Sequence, residues 1–514
     1  MECLKNSFKR VLLSPVTYIV ILAFAIRVWN VDSNPAGFFT DEASIGYNAY
    51  SVLKTGKDEW GKPLPVFFKA FGEYKNPIYI YSSIPFILIY GPTEKGVRMT
   101  SVIYGILTIF SIYLLTKELF NKKVGYLASL FLAISPWHVH LSRIGFELIA
   151  SLFWVILSFY FLYRWIKGKS DLIYGLISLL IAYFTYYTPK IYLPILVILF
   201  IFLNINRIKK NGLSKSDEGK IFIILILFFS LIIPSLIDKT FFARWQEVKS
   251  QNITFQDLAE GYLNHFATEF LFTKGDSGFT GQYLTRHSIV GIGQLFWFQL
   301  PLILIAFYGF FKNPKWQRPL LFMLGTLLVY PLGSVFTGIL PQATRSSLGV
   351  IPFQILSALG FYILISLIKQ KFARIFVSLI FSGFILFSFI NFIDQLKTYP
   401  IHSSDYLGWQ YGFRQSMDIM KKNQNSFEDL FITHRFNRGE ELLKFYNLSY
   451  NCGKCKIMSN PISIDVEKKQ LFSLRNEDLE EAERLYPELN FRNITQVNLP
   501  SGKPELFIGS FEKL

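Results

Sequence analysis

Residues Phe38–Pro77 read FFTDEASIGYNAYSVLKTGKDEWGKPLPVFFKAFGEYKNP, a charged and aromatic stretch between two apolar runs. It carries an adjacent acidic pair, Asp41-Glu42, then Asp58-Glu59, and closes on Glu73 and Lys75 just before Pro77. Turn formers and aromatics fill the rest. Fed out of the apolar run Val11–Trp29 and soon followed by Ile78–Tyr90, it has the makeup of a reactive loop lying on a membrane surface. The side of the bilayer it occupies fixes how the rest of the chain is threaded.

The whole composition agrees with a membrane setting. Of 514 residues, 51% are hydrophobic and 17% charged, against about 25% charged in soluble domains. Apolar runs of roughly 14–22 residues recur, near the ~20 needed to cross ~30 Å of hydrocarbon. The net charge of +16 does not point to nucleic acid, because its lysines and arginines sit in short loops between apolar runs. Charge placed there sets membrane orientation, and no nucleic-acid partner is expected.

Lys5, Lys9 and Arg10 precede the first run and place the N-terminus in the cytoplasm. Ala23-Phe24-Ala25 has the form of a signal-peptidase site, so a cleaved signal competes with an uncleaved anchor; either leaves the Phe38–Pro77 loop outside. Further spans are read at 97–117, 124–137, 147–165, 171–188, 190–206, 219–237, 291–311, 319–336, 348–368 and 373–393. The basic clusters Lys117/Lys122/Lys123, Arg164/Lys167/Lys169, Arg207/Lys209/Lys210/Lys215/Lys220, Lys312/Lys315/Arg318 and Lys369/Lys371/Arg374 then fall in alternate loops. They share the cytoplasmic side with the N-terminus only if Ile78–Tyr90, interrupted by Pro85, does not cross. The expected fold is an all-α polytopic membrane protein of about eleven transmembrane helices with a long first extracytoplasmic loop, plus a small α+β domain. Residues 1–393 form the membrane domain, with outer loops 30–96 and 238–290, and residues 394–514 form an extracytoplasmic tail. The setting is a plasma membrane with the active site extracytoplasmic.

Asp41 is the candidate base. A carboxylate held at the interface can take a proton from a hydroxyl, which is worth about 10²–10⁴-fold in rate. The plainer reading is that Thr40 or Asp41 caps the amphipathic stretch Ala43–Leu53, in which Tyr47 is a candidate substrate contact. Lys75 is a candidate point charge for a lipid-linked phosphate, and headgroup snorkelling is its alternative. Arg143 and Arg345 break the orientation rule by facing outward and are candidates for the same phosphate. Glu73 and Glu147 are candidate substrate contacts; Glu147 lies where an outer loop re-enters the membrane, a costly place for an ionisable group. His138, His140 and His265 are scattered, the pattern of interfacial hydrogen-bonders more than of a metal site. Cys452 and Cys455 form a lone C-x-x-C for which a local disulfide is expected outside the cytosol.

The series FFTDEASIGYNAY, GEYKNP, GVRMTSVIYG, SPWHVHLSRIGFE and PQATR before an apolar span resembles the GT-C glycosyltransferases over about residues 10–370. It is most similar to glycosyltransferase family 39, the dolichyl-phosphate-mannose protein mannosyltransferases and aminoarabinose transferases. The resemblance implies Asp41 as catalytic base with Glu42 beside it, Glu73 and Lys75 in the acidic-lysine motif before Pro77, and Glu147 as a second acidic position. Here Glu-Tyr-Lys-Asn-Pro stands where the aminoarabinose transferases commonly have adjacent Glu-Lys, which bears on Glu73 more than on Lys75. His265 falls where some members contact a metal; a divalent metal is compatible with the donor but no cofactor is required. Sugar-binding trefoil repeats are not evident in loop 238–290. The expected function is inverting transfer of a sugar from a dolichyl- or undecaprenyl-phosphate donor to a hydroxyl on a glycan, lipid or protein acceptor. A lipid-linked oligosaccharide flippase or transporter, or a polymerase or ligase of the O-antigen kind, is the alternative; the first would want charges along its spans, and the second relies on outer-loop arginines and a histidine.

Overall fold

In the computed structural model, residues 14–70, 73–237, 254–279, 284–338 and 340–514 are described. Cys3, the Lys5/Lys9/Arg10 cluster, the Glu73 side chain and part of loop 238–290 lie outside the described residues.

Proline marks where several helices begin, since its fixed φ and missing N–H suit a first turn. Helix α1 is Pro15–Val28. The segment read from sequence as the first outer loop then folds into α2 (Thr40–Thr55), a small hairpin of β1 (Phe68–Ala70) and β2 (Glu73–Lys75), and α3 (Pro77–Tyr90). Helix α2 ends where Gly56 takes φ +69°, a left-handed conformation that favours glycine. The chain continues through α4 (Glu94–Leu119), α5 (Lys122–Ile134), the short α6 (Pro136–Leu141), α7 (Leu148–Trp165), α8 (Leu172–Tyr183), α9 (Pro189–Asn211) and α10 (Lys215–Ile237). After α11 (Phe255–Asn264) come α12 (Gln299–Lys312), α13 (Pro314–Val329), α14 (Val350–Leu367) and α15 (Lys371–Ser403). Every apolar run read as a span therefore holds a helix. Among the described residues, six helices are long and apolar enough to cross a membrane, and α1, α3, α8 and α12 are shorter apolar helices.

Helices approach closely where side chains are small, the usual device when lipid removes the hydrophobic drive for association. A Cβ on Gly360 of α14 would lie 1.7 Å from the Leu302 carbonyl oxygen of α12, so only glycine allows that crossing.

One expected boundary moves. Helix α15 does not stop at residue 393 but runs 33 residues to Ser403, about 50 Å at 1.5 Å per residue. Polar sequence from Asn391 onward marks where hydropathy falls, and residues such as Gln395, Leu396 and Lys397 still favour helix. Beyond it, α16 (Phe413–Asn423) buries Phe413, Met417 and Met420 on one helical face. The tail then alternates β3 (Asp429–Ile432), α17 (Gly439–Tyr450), β4 (Cys455–Ile457), β5 (Gln470–Leu474), α18 (Asn476–Leu485), β6 (Leu489–Asn498) and β7 (Pro504–Lys513). Its sheet order is β4-β3-β5-β7-β6, with β3 parallel to β4 and β5, and β7 antiparallel to β5 and β6. Cys452 and Cys455 are joined by a disulfide between α17 and β4.

The tail docks on the first outer loop. Phe445 of α17 stacks on Phe38 at 4.9 Å, and the Thr40 hydroxyl donates to the Asn437 carbonyl at 2.7 Å. At the far end, the Ser449 hydroxyl donates to the Pro92 carbonyl at 3.1 Å. A Cβ on Gly46 would come within 2.4 Å of the Phe445 ring. Gly46→Ala is therefore expected to weaken the docking by about 1–3 kcal/mol. Limited proteolysis in the 404–412 connector should quicken; an unchanged rate would place the contact outside the energetics of docking.

Candidate active site

Helix α2 starts at Thr40, with Phe39 as its N-cap. A phenylalanine side chain cannot accept a hydrogen bond, so the expected cap at Thr40 or Asp41 is replaced by Glu42 reaching back: its Oε2 accepts from the Phe39 N–H at 3.2 Å. The same carboxylate accepts from the Gly145 N–H at 2.7 Å and from Arg98 Nε and Nη2 at 2.9 and 3.1 Å. Arg98 in turn donates to the carbonyls of Val31, Pro35 and Gly37 at 3.1, 2.9 and 2.6 Å. Both side chains are 0% exposed. Expected beside the base, Glu42 instead works as an internal tie. It links the start of α2 to the segment entering α7, and thereby sets Asp41 relative to Glu147.

With Glu42 turned inward, the next-door Asp41 points the other way and pairs with Lys75. The Asp41 side chain keeps 27% of its surface exposed and Lys75 only 4%. Pro77 and the β1–β2 hairpin present Lys75 from the end of β2, and the Tyr187 hydroxyl donates to the Tyr74 carbonyl, holding that strand from the α8–α9 turn.

Asp41 and Lys75 line a cavity of about 480 Å³. Glu147, Lys190, Arg286, His287 and Arg345 share its wall, with Phe39, Phe146, Tyr186, Tyr187 and Phe336 as aromatic lining. Four formal cations (Lys75, Lys190, Arg286, Arg345) face two carboxylates (Asp41, Glu147). Low-polarity walls with a cationic excess favour a bound anion.

Arg286 was not among the expected site residues. It lies in a segment that the sequence threading reads as outer and, like Arg345, breaks the orientation rule, which is the signal the sequence offers. Its guanidinium lies 4.0 Å over the Phe39 ring, a cation–π contact, and donates to the Leu407 carbonyl at 2.7 Å. Burial lowers it from the ordinary arginine value, and the charge of Asp41 pushes it back up. The extension of α15 beyond residue 393 supports it: the Tyr399 hydroxyl donates to the Thr285 carbonyl at 3.0 Å and accepts from Trp409 Nε1 at 2.9 Å. His140 Nε2 meets the Arg286 carbonyl at 2.8 Å. His287, lowered by burial and partly restored by Asp276, sits 3.6 Å from that carboxylate. Asp276 also accepts from the Ala343 N–H at 3.1 Å, which fixes the segment carrying Arg345.

Three expectations fail on position. Arg143 is buried, and donates to the carbonyls of Ile26, Arg27 and Asn34 at 2.8, 3.1 and 2.8 Å. It satisfies carbonyls at the end of α1 that have no partner within the helix, and does not line the cavity. Tyr47 packs against the apolar core and does not line the cavity either. His265 is buried beside Phe270 and Tyr330, with Nδ1 on the Gly261 carbonyl at 2.7 Å, and burial lowers it to about 4. Among the described residues no three His, Cys, Asp or Glu side chains are grouped as a metal site. His138, also buried, accepts from Arg27 Nη2 through Nδ1 at 2.8 Å.

Comparison with known proteins adds to this geometry. Residues 75–237 match the family model of the dolichyl-phosphate-mannose-protein mannosyltransferases. The dolichyl-phosphooligosaccharide-protein glycotransferase 2 of Pyrococcus furiosus is 30% identical over 108 residues, 21% of this chain and 14% of that protein. The apo oligosaccharyltransferase of Archaeoglobus fulgidus superimposes with a TM-score of 0.54 at 14% identity, over 84% of this chain and 63% of that one. The chain thus spans less than two thirds of either protein. ArnT from Cupriavidus metallidurans bound to undecaprenyl phosphate superimposes with a TM-score of 0.54 at 10% identity, over 96% of this chain and 97% of that one. The helical bundle, the sheet-bearing tail and the matched segment agree: this chain has helices long and apolar enough to cross a membrane and shares the fold of ArnT and of the archaeal oligosaccharyltransferase.

Proposed function

We propose that the protein is an inverting glycosyltransferase that moves a sugar from a polyprenyl-phosphate donor to an acceptor hydroxyl on the outer face of the membrane. One observation carries this reading: a carboxylate, Asp41, is paired with Lys75 inside a cavity whose wall adds Lys190, Arg286 and Arg345. The structural neighbour bound to undecaprenyl phosphate and the archaeal oligosaccharyltransferase with dolichol phosphate support the donor class.

The chemistry follows from the charges. At rest Lys75 holds Asp41 ionised. An incoming donor phosphate competes for Lys75, with Arg286 and Arg345 as further cations, and releases the carboxylate toward the acceptor. Asp41 takes the hydroxyl proton as that oxygen attacks the anomeric carbon from the face opposite the phosphate. The bond from anomeric carbon to phosphate oxygen breaks, and the polyprenyl phosphate leaves with its charge already met by fixed cations. A monophosphate donor has no diphosphate to be chelated, so no metal or other cofactor is required. Glu147 lies on the cavity wall, where it can orient acceptor or sugar hydroxyls.

Two features support the outer location. Basic clusters alternate along the chain as orientation demands. The chain before α3 and the chain after it also meet one tail domain, through Thr40 with Asn437 and Pro92 with Ser449. A tag near Gly91 should therefore report the same side as one near Thr55.

The direct test incubates the purified protein with a panel of polyprenyl-phosphate sugars and identifies the labelled product; no transfer from any donor overturns the reading. Within it, Lys75→Ala should weaken donor binding about 10–100-fold, as expected for loss of a charge-assisted hydrogen bond worth ~1.5–3 kcal/mol. Unchanged donor affinity would remove Lys75 from the phosphate site.

A further inference from the structure

A second cavity, of about 410 Å³, lies between the first outer loop and the tail. Tyr90, Glu94 and Lys95 form one wall, and Arg414, Tyr446 and Tyr450 the other. Its volume is within the roughly 300–1,000 Å³ of small-molecule sites. Chemically it is unlike the first cavity. Lys95 and Arg414 balance Glu94 and Asp32, so the formal charges cancel and nothing selects an anion.

The wall is built to meet a polyhydroxylated ring. Tyr90 is 37% exposed, and the Lys95 ammonium lies 5.1 Å from its ring centre. Buried Glu94 is held in place by the Tyr446 hydroxyl at 2.5 Å and by Arg414 at 3.4 Å. A planar carboxylate and a planar guanidinium side by side offer paired acceptors and donors to vicinal hydroxyls. The exposed ring of Tyr90 offers a surface for the apolar C–H side of a sugar.

We propose that this cleft binds a neutral oligosaccharide. The cleft is made by two parts of the chain together and exists only while the tail is docked, which gives the tail a task in ligand capture. It is also close to the first cavity without being part of it. One helical turn after Glu94, Arg98 grips Glu42, the neighbour of Asp41, and Tyr446 packs edge-on against Phe38 at 6.2 Å. A glycan held here would keep an acceptor on the outer face beside the helix that carries Asp41. The binding itself does not depend on the transferase reading.

The test is saturation-transfer NMR on the full chain in detergent micelles, with mannotriose, maltotriose and chitotriose as probes. At least one trisaccharide should bind, and Tyr90→Ala and Arg414→Gln should each cut its signal about five-fold or more, the scale of one lost stacking or paired polar contact. Tyr90→Phe keeps the ring and should keep the signal. No binding by any probe, or a signal that Tyr90→Ala and Arg414→Gln leave unchanged, overturns the proposal. Loss in Tyr90→Phe equal to that in Tyr90→Ala overturns it too, since stacking would not be the cause. Asp41→Asn should bind sugar as the parent does. If it also transfers sugar as the parent does, the transferase reading fails while the cleft stands.

Discussion

Asp41→Asn is expected to lower turnover from a polyprenyl-phosphate sugar by about 10²–10⁴-fold, the range for a lost general base. Asparagine has nearly the same shape, so α2 should still start at Thr40, and Glu42, which does the capping, is untouched. Donor binding should survive, because Lys75 no longer has a carboxylate to leave. The measurement is single-turnover transfer together with donor affinity on the same sample. Loss of transfer with donor affinity kept, or tightened, supports Asp41 as base. Turnover near that of the parent removes it from that role.

Glu42→Ala should act through the fold. It leaves Arg98 buried without its counter-charge, and frees the N–H groups of Phe39 and Gly145. Breaking such a pair from one side costs about 3–5 kcal/mol. Arg98→Ala should cost a similar amount. The double variant should cost little more than either single one, because the first change already orphans the second group. Thermal unfolding in detergent reads this directly. Additive losses would mean that the two residues act separately. Activity should fall as well, since the same carboxylate sets Asp41 relative to Glu147, but a loss of transfer at full stability would give Glu42 the role in chemistry that its burial argues against.

The contrast between these neighbours shows how far residue type carries. Asp41 and Glu42 are equally acidic in sequence, yet the first turn of a helix sends successive side chains about 100° apart. Which of the two faces water depended on what packed against α2: Gly145 and Arg98 on one side, the β1–β2 hairpin on the other. The arginines divide the same way. Arg143 and Arg345 both break the orientation rule, but Arg143 lies where the end of α1 offers unpaired carbonyls, whereas Arg345 lines the cavity. Arg286 carries the same signal, but what holds it at the cavity comes from Tyr399 and Leu407, more than a hundred positions along the chain.

Sequence alone determined what depends on periodicity, length and charge. Apolar runs became helices, proline and glycine set where several begin and end, alternating basic clusters gave a consistent threading, and the acidic loop marked the segment that supplies Asp41 and Lys75. These are local properties, governed by transfer of side chains to hydrocarbon and by backbone preference. Only the tertiary structure decided which charges meet in the cavity, which are spent on tying helices together, and how the tail closes over the first outer loop. Those outcomes depend on distances between residues far apart in sequence, and burial can turn the same side chain into a strut or a reagent.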